Sequence, residues 1–388
     1  MSTSTPRLPD ELITEVFRNQ TLSLQDLSAC CLLSKRFLST GQRLLYEEIS
    51  VRMGRIHDGE GADGRDRIGY SRTTWKLLKT LVDNKHLAQF IRKITFCQDQ
   101  AEEEIIEGLL ETTPDSAIAN FLRFAPLVRE IAFDAFWSRT RQSLDLISQF
   151  KSVEGLKFSK TSEEEVSYIA QVLPDLKFFN SDHIEFNPRG PRGVTTVLPA
   201  RLEVLEIYEG DPDFKAALVS TNSSTLRKLQ VGLEVALRLD YAKLSALSEL
   251  TIDNTPRVLL DEPDIASRNS SEFFDSLSKS PSLRTLSFSP SAFYFQYEYC
   301  IFPGTYARPE DGLKKPIATL RTIRFEQDVS LDRCNSVLSG PFAENLHRLV
   351  VPSELVSLGA DPLSKNKLTA IVGMCESRGI EVVLSDDW

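Results

Sequence analysis

The chain has four histidines, His57, His86, His183 and His347, in unrelated sequence contexts, and no H-E-x-x-H spacing joins any two of them on a helix face. Metal-centred and imidazole-based catalysis therefore lack a framework. Two acidic runs, Glu102 to Glu104 and Glu163 to Glu165, are the places where paired carboxylates are imaginable. Consecutive residues point in different directions round a helix, so these runs read instead as solvated helix starts favoured by the dipole. Cys30 and Cys31 read as small packing residues rather than reactive thiols. No Walker-type phosphate loop, no G-x-G-x-x-G after a strand and no G-x-S-x-G elbow occurs. The expectation is a protein that is not an enzyme and uses no cofactor or metal.

The residues that remain suit recognition. A six-residue pattern with apolar positions 1, 4 and 6 returns as IRKITF at 91, VREIAF at 128, VEGLKF at 153, LEVLEI at 202, LRKLQV at 226, LSELTI at 247, LRTLSF at 283, LRTIRF at 320 and LHRLVV at 346. A degraded copy, LKFFNS, starts at Leu176, and IEVVL at Ile380 closes the series. Positions 4 and 6 alternate with polar residues as a short strand with one buried face requires. Positions 3 and 5 then present Lys93, Lys157, Glu206, Lys228, Glu249, Arg324 and Arg348 on the other face, with Arg227, Arg284 and Arg321 beside them at position 2. Lys228, Arg284, Arg321, Arg324 and Arg348 are candidate contacts for a carboxylate or phosphate on a protein target. Ordinary solvated strand positions are the competing reading, since glutamates intervene. A second candidate is the aromatic run at 290–316, with Tyr294 and Tyr297 as anchors, in a long insertion that equally needs a small core of its own.

Helix-like stretches separate these strands: SAIANFLRF, SLDLISQF, SEEEVSYIAQVL, DFKAALVS, SEFFDSLSKS and LTAIVGMCESRG. Pro126, Pro174 and Pro281 each fall two residues before the next strand pattern, where proline ends a helix without losing a ladder hydrogen bond. One strand and one helix per unit cannot bury its own apolar edge, so units must stack into a parallel sheet. The spacing between successive patterns varies, which implies uneven curvature. An open, doubly wound α/β domain is the alternative.

At the other end, LPDELITEVFRNQTLSLQDLSACCLLSKRFLSTGQRLLYEEI from Leu8 to Ile49 carries strong helix punctuation. Pro9 suits a first helical turn, Asp10 and Glu11 follow it, and Leu12, Ile13, Val16 and Phe17 share one face. Ser23 with Asp26 forms a weak capping box before Leu24, Leu27 and Cys31, and Ser34 caps a third segment running through Phe37 toward Tyr46. Roughly 40 residues is close to the lower limit for a stable core, so another protein is expected to complete part of this apolar surface. A helical cap on the larger domain is the alternative.

These landmarks resemble the F-box family, which carries a leucine-proline start, an aspartate-leucine pair, and a serine-lysine followed by an aromatic. Here they are Leu8-Pro9, Asp26-Leu27, and Ser34-Lys35 with Phe37. The RNQTLSLQ segment is about two residues longer than is common in that family, and Tyr46 stands where many members have tryptophan. The resemblance implies that the helices bind a Skp adaptor, and through it a cullin-RING ubiquitin ligase, using Leu8, Pro9, Leu12, Val16, Phe17, Leu27 and Leu32. The strand pattern resembles the irregular leucine-rich repeats that follow F-boxes. The implied architecture is α/β: an N-terminal three-helix F-box over 1–50, a flexible loop or hinge over 51–71 that is rich in Gly, Asp and Arg, and over 72–388 a repeat solenoid with a curved parallel sheet that holds a target. An adaptor-bound interaction scaffold without ubiquitin transfer is the alternative function.

Composition sets the outer bounds. At 388 residues, 41% hydrophobic and 26% charged, the chain reads as globular. A net charge of -10 and a pI near 5.2 argue against a broad nucleic-acid surface. Without a long apolar run or a secretion leader at Met1, no membrane association is expected, and the cytoplasm or nucleus is the expected compartment. Six cysteines without a C-x-x-C pair fit free thiols in a reducing compartment.

Overall fold

A computed structural model describes residues 10–19, 23–33, 35–56, 67–99, 113–134, 141–185, 201–253, 273, 275–288, 317–325, 338, 344–352 and 362–385. The chain divides into two compact units, Met1–Ser159 and Lys160–Trp388. Both are α/β, with strands that pair mostly in parallel.

Unit 1 opens with helices α1 (Asp10–Asn19), α2 (Leu24–Leu33) and α3 (Lys35–Glu47). The hairpin β1 (Glu48–Ile56) and β2 (Arg67–Tyr70) follows, then α4 (Arg72–Asp83) and a short 3-10 turn at Leu87–Phe90. Strand β3 (Lys93–Asp99), helix α5 (Pro114–Phe124), strand β4 (Glu130–Phe133), helix α6 (Arg141–Ser148) and the first five residues of strand β5 (Gly155–Ser162) complete it. The strand order is β5-β4-β3-β1-β2, parallel except for β2.

In unit 2, α7 (Glu163–Val172) leads to β6 (Phe178–Glu185) and β7 (Val204–Glu209). Helix α8 (Pro212–Thr221), β8 (Lys228–Gly232), α9 (Leu233–Ala236) and β9 (Glu249–Asp253) come next. Strands β10 (Thr285–Phe288), β11 (Thr322–Phe325) and β12 (Arg348–Pro352), helix α10 (Pro362–Ser377) and β13 (Glu381–Ser385) finish the series. Strands β6 to β13 lie in chain order, all in parallel pairs. The reversal that a doubly wound sheet requires is absent among the described strands.

Every copy of the 1-4-6 pattern forms a strand, including the degraded one at Leu176. The register aligns equivalent positions: Ile94 pairs Ile131 and Ile131 pairs Leu156 in unit 1, while Leu205, Leu229, Leu250, Leu286, Ile323 and Leu349 form one row in unit 2. All of them are fully buried, and each contributes roughly 1.5–3 kcal/mol through burial. At position 6, Phe96 stacks on Phe133 at 5.5 Å and Phe133 on Phe158 at 5.4 Å, and Phe288 repeats the arrangement on Phe325 at 5.7 Å.

A shared backbone joint locks this register. The position-2 carbonyl of one strand segment accepts two amides from the next: Arg92 O from Arg129 and Glu130, Arg227 O from Ser248 and Glu249, Arg284 O from Arg321 and Thr322. Because each joint leaves the same stagger, apolar positions meet like with like and the chain advances by one strand at a time. Helix starts are equally local. Thr113 Oγ1 accepts from the Ser116 amide, Asp211 Oδ1 from the Phe214 amide, and Ser162 with Glu165 forms a complete capping box.

The stretch 51–71 departs from the expected loop or hinge. Residues 51–56 belong to β1 and 67–70 to β2; the rest of that stretch before Ser71, 57–66, lies outside the described residues. The physical reason is a pattern copy within the opening segment itself: Tyr46, Ile49 and Val51 occupy positions 1, 4 and 6, and Ile49 and Val51 are buried against β3. Helix α3 therefore runs into the first strand without a linker, and the compact unit does not end at residue 50.

Candidate docking surfaces

The three opening helices form around a small interior. Ile13 of α1 and Leu27 of α2 are buried, and Phe17 of α1 leans on Phe37 of α3 with ring centroids 5.8 Å apart. Helix α2 begins on a reciprocal cap: Ser23 N and Oγ donate to Asp26 Oδ2 at 2.9 and 2.7 Å, and Asp26 N donates to Ser23 Oγ at 3.2 Å. The Ser23 hydroxyl and amide hold the Asp26 carboxyl below its ordinary range. Cys31 faces Gly41 of α3, where an added Cβ would lie 2.4 Å from its sulfur, so glycine sets the close approach of α2 and α3. Burial pushes the Cys31 thiol up, which suits packing rather than nucleophilic chemistry.

What the interior leaves out is apolar. Of the eight large hydrophobic side chains exposed among the described residues, five lie on these helices: Leu12, Val16, Leu32, Leu33 and Leu38. Leu32 is 88% exposed and Leu33 74%, far beyond what a solvated helix end needs. Leu12 and Val16 sit four residues apart and so share one face of α1.

The placement of the expected adaptor contacts is mixed. Leu12, Val16 and Leu32 are at the surface, Phe17 is half-buried against Phe37, and Leu27 is buried and supports the helices from inside rather than facing a partner. Leu8 and Pro9 lie outside the described residues. Leu33 and Leu38 join the exposed set; neither is among the expected adaptor contacts, although Leu38 lies on the expected third helix. The signal for Leu33 was present in the continuous apolar run from Cys30 to Leu33, which has more hydrophobic positions than one helix face can bury.

On the strands, most candidate cations are engaged within the protein. Lys228 Nζ reaches Glu206 Oε1 at 2.7 Å, and the same carboxylate accepts from Asn180 Nδ2 at 2.6 Å. Arg348 meets Glu381 at 3.3 Å, and in unit 1 Lys93 meets Glu130 at 3.1 Å. Arg321 Nη1 donates to the carbonyls of Ala318, Leu320 and Asn345, so it staples the turn before its own strand. Arg284 and Arg324 are exposed and carry no ion pair among the described residues. Tyr294 and Tyr297 lie outside the described residues.

Three groups capable of proton transfer, Glu165, His183 and Lys215, are engaged by neighbouring groups. Glu165 closes the α7 cap, receiving Thr161 Oγ1 and the Ser162 amide, each at 3.0 Å. His183 Nδ1 lies 2.9 Å from Glu209 on a solvated surface. Lys215 is buried, donates to the Tyr208 carbonyl at 3.3 Å, and is held below its ordinary value by desolvation against the pull of Glu234, Asp211 and Glu209. Among the described residues no group of three or more His, Cys, Asp or Glu side chains is placed to hold a metal ion. Among them too, no helix is long and apolar enough to cross a membrane.

No model of a known protein family matches the chain, and no curated protein matches it in sequence.

Proposed function

We propose that the protein is a non-catalytic substrate receptor of the Skp-cullin-F-box type. Helices α1 to α3 dock the Skp adaptor, and the stacked strand-helix units, as a leucine-rich-repeat solenoid, hold a protein target near a ligase-bound ubiquitin carrier. Catalysis is then proximity, supplied by geometry rather than by side chains of this chain.

The observation that carries the reading is the exposed apolar set Leu12, Val16, Leu32 and Leu33 on the first two of three short helices, where Ile13 and Leu27 already fill the interior. Such a set, concentrated at one end of the sequence, fits a surface completed by a second polypeptide. The sequence landmarks named above give that polypeptide its class.

The test is co-purification of the full chain from a eukaryotic lysate, blotted for the Skp adaptor and for cullin. Leu12→Ala, Val16→Ala and Leu32→Ala together are expected to abolish both signals while circular dichroism stays unchanged, because all three side chains are already in solvent. Equal adaptor recovery by the triple variant would overturn the docking assignment. Adaptor recovery without cullin would instead favour a scaffold.

A further inference from the structure

We infer that the outer edge of β13 pairs with the same edge of a second copy of the chain in a two-fold, antiparallel strand contact; this goes beyond the receptor reading and does not rest on it. The apolar rows of unit 2 end uncovered there. Ile207, Val231, Ile252, Phe288, Phe325 and Val351 at position 6 are at most 3% exposed, yet Leu384, which pairs with Val351, is 50% exposed. Val382, which pairs with the fully buried Leu349, is only half-buried. The backbone is uncovered too. Glu381 N donates to His347 O, so Glu381, Val383 and Ser385 turn their N–H and C=O groups toward β12, while Val382 and Leu384 turn theirs outward, where no described strand lies.

Open edges are commonly blunted by lysine or proline. Strand β13, EVVLS, has neither, and its one charge, Glu381, is drawn inward to Arg348 at 3.3 Å. The symmetry of these five residues identifies the occupant as a second copy. With a two-fold axis at Val383, Val382 meets Leu384 of the second copy on the apolar face, and Glu381 meets its Ser385 on the polar face, so no like charges are opposed. The same register sets the outward groups of Val382 against those of Leu384. Four backbone hydrogen bonds then close across the axis, and Val383 faces its own counterpart in a non-hydrogen-bonded pair.

Sedimentation velocity of the full chain should show monomers passing into dimers over roughly 10–100 µM, since one strand per copy lies at the small, transient end of protein interfaces. Leu384→Pro removes an outward N–H that no strand of its own chain uses, and is expected to raise the dissociation constant at least about tenfold with an unchanged melting curve. Val383→Cys tests the register independently, because counterpart Cα atoms in a non-hydrogen-bonded pair lie about 4.5 Å apart, within disulfide reach. Mild oxidation should cross-link Val383→Cys into dimers well above the level seen with Glu381→Cys, the six native cysteines being common to both. Should the proline variant melt early, the cysteine trap alone decides. A monomer at every concentration, as when the edge receives a foreign strand instead, would overturn the proposal. So would dimers that Leu384→Pro leaves unchanged, which would move the contact to the exposed leucines of α1 and α2, or dimers that Val383→Cys fails to trap, which would exclude the two-fold register.

Discussion

Two glycines with positive φ separate conformational need from steric need. Gly210 follows β7 at φ 135°, and a Cβ there would stand 2.9 Å from the Ile184 carbonyl oxygen, a backbone atom that cannot step aside. Gly379 precedes β13 at φ 69° with nothing within 4 Å of its Cβ position. Gly379→Asn is therefore expected to be nearly neutral, because asparagine tolerates the left-handed region, whereas Gly210→Asn should cost roughly 1–3 kcal/mol. Urea midpoints of the two variants, measured side by side, check the contrast. Asp26 gives a pH prediction of definite sign. Its carboxyl titrates below its ordinary value in the folded protein because Ser23 donates to the ionised form. The contribution to α2 is then complete above the unfolded-state pKa and disappears as pH falls through the lower folded value. An NMR titration of the Asp26 carboxyl should show a midpoint below 3.8, and Ser23→Ala should move it back up. Residue-level readings failed where short helices made orientation ambiguous. Leu27 and Leu32 both looked outward from sequence, yet Leu27 closes the interior and Leu32 is bare, since ten residues of helix give too few turns for a stripe to declare its face.

Elements were far more legible, and the reason is periodicity. A strand with one buried face needs only apolar residues at alternate positions, and IRKITF or LRTLSF states that requirement outright. Strand β1 escaped because its copy, YEEISV at 46, begins inside the last turn of α3, where Tyr46 and Glu47 also satisfy a helix pattern. The glycines, aspartates and arginines that follow then gave the stretch 53–71 the composition of a loop. The structure turns this into a prediction about boundaries. A chain beginning at Arg72 lacks β1 and β2, uncovers the edge of β3, and removes the partners of Ile94 and Phe96. It should aggregate. Within the full chain, Val51→Asp places a carboxylate among fully buried apolar side chains and is expected to unfold unit 1 at a cost of about 3 kcal/mol or more, while Ser50→Asp, on the exposed side of the same strand, is tolerated. Thermal denaturation followed by circular dichroism distinguishes the two.

For the whole molecule, salt discriminates between ion pairs on the folded surface and an apolar contact with a partner. Ion pairs such as Arg227 with Glu203 and Lys160 with Glu185 are solvent-exposed, so screening them moves stability little, and the urea midpoint should be nearly flat between 50 and 500 mM NaCl, salt levels over which the Debye length shrinks from about 14 to about 4 Å. Docking of the proposed adaptor through Leu12, Val16 and Leu32 would bury apolar area, whose free energy does not depend on screening, so adaptor affinity is expected to hold or rise across the same range. Surface plasmon resonance with the adaptor immobilised measures the dependence. A flat or rising affinity would assign an apolar contact to the helices. An affinity that falls with salt would mean that the exposed leucines do not make the contact that their chemistry favours.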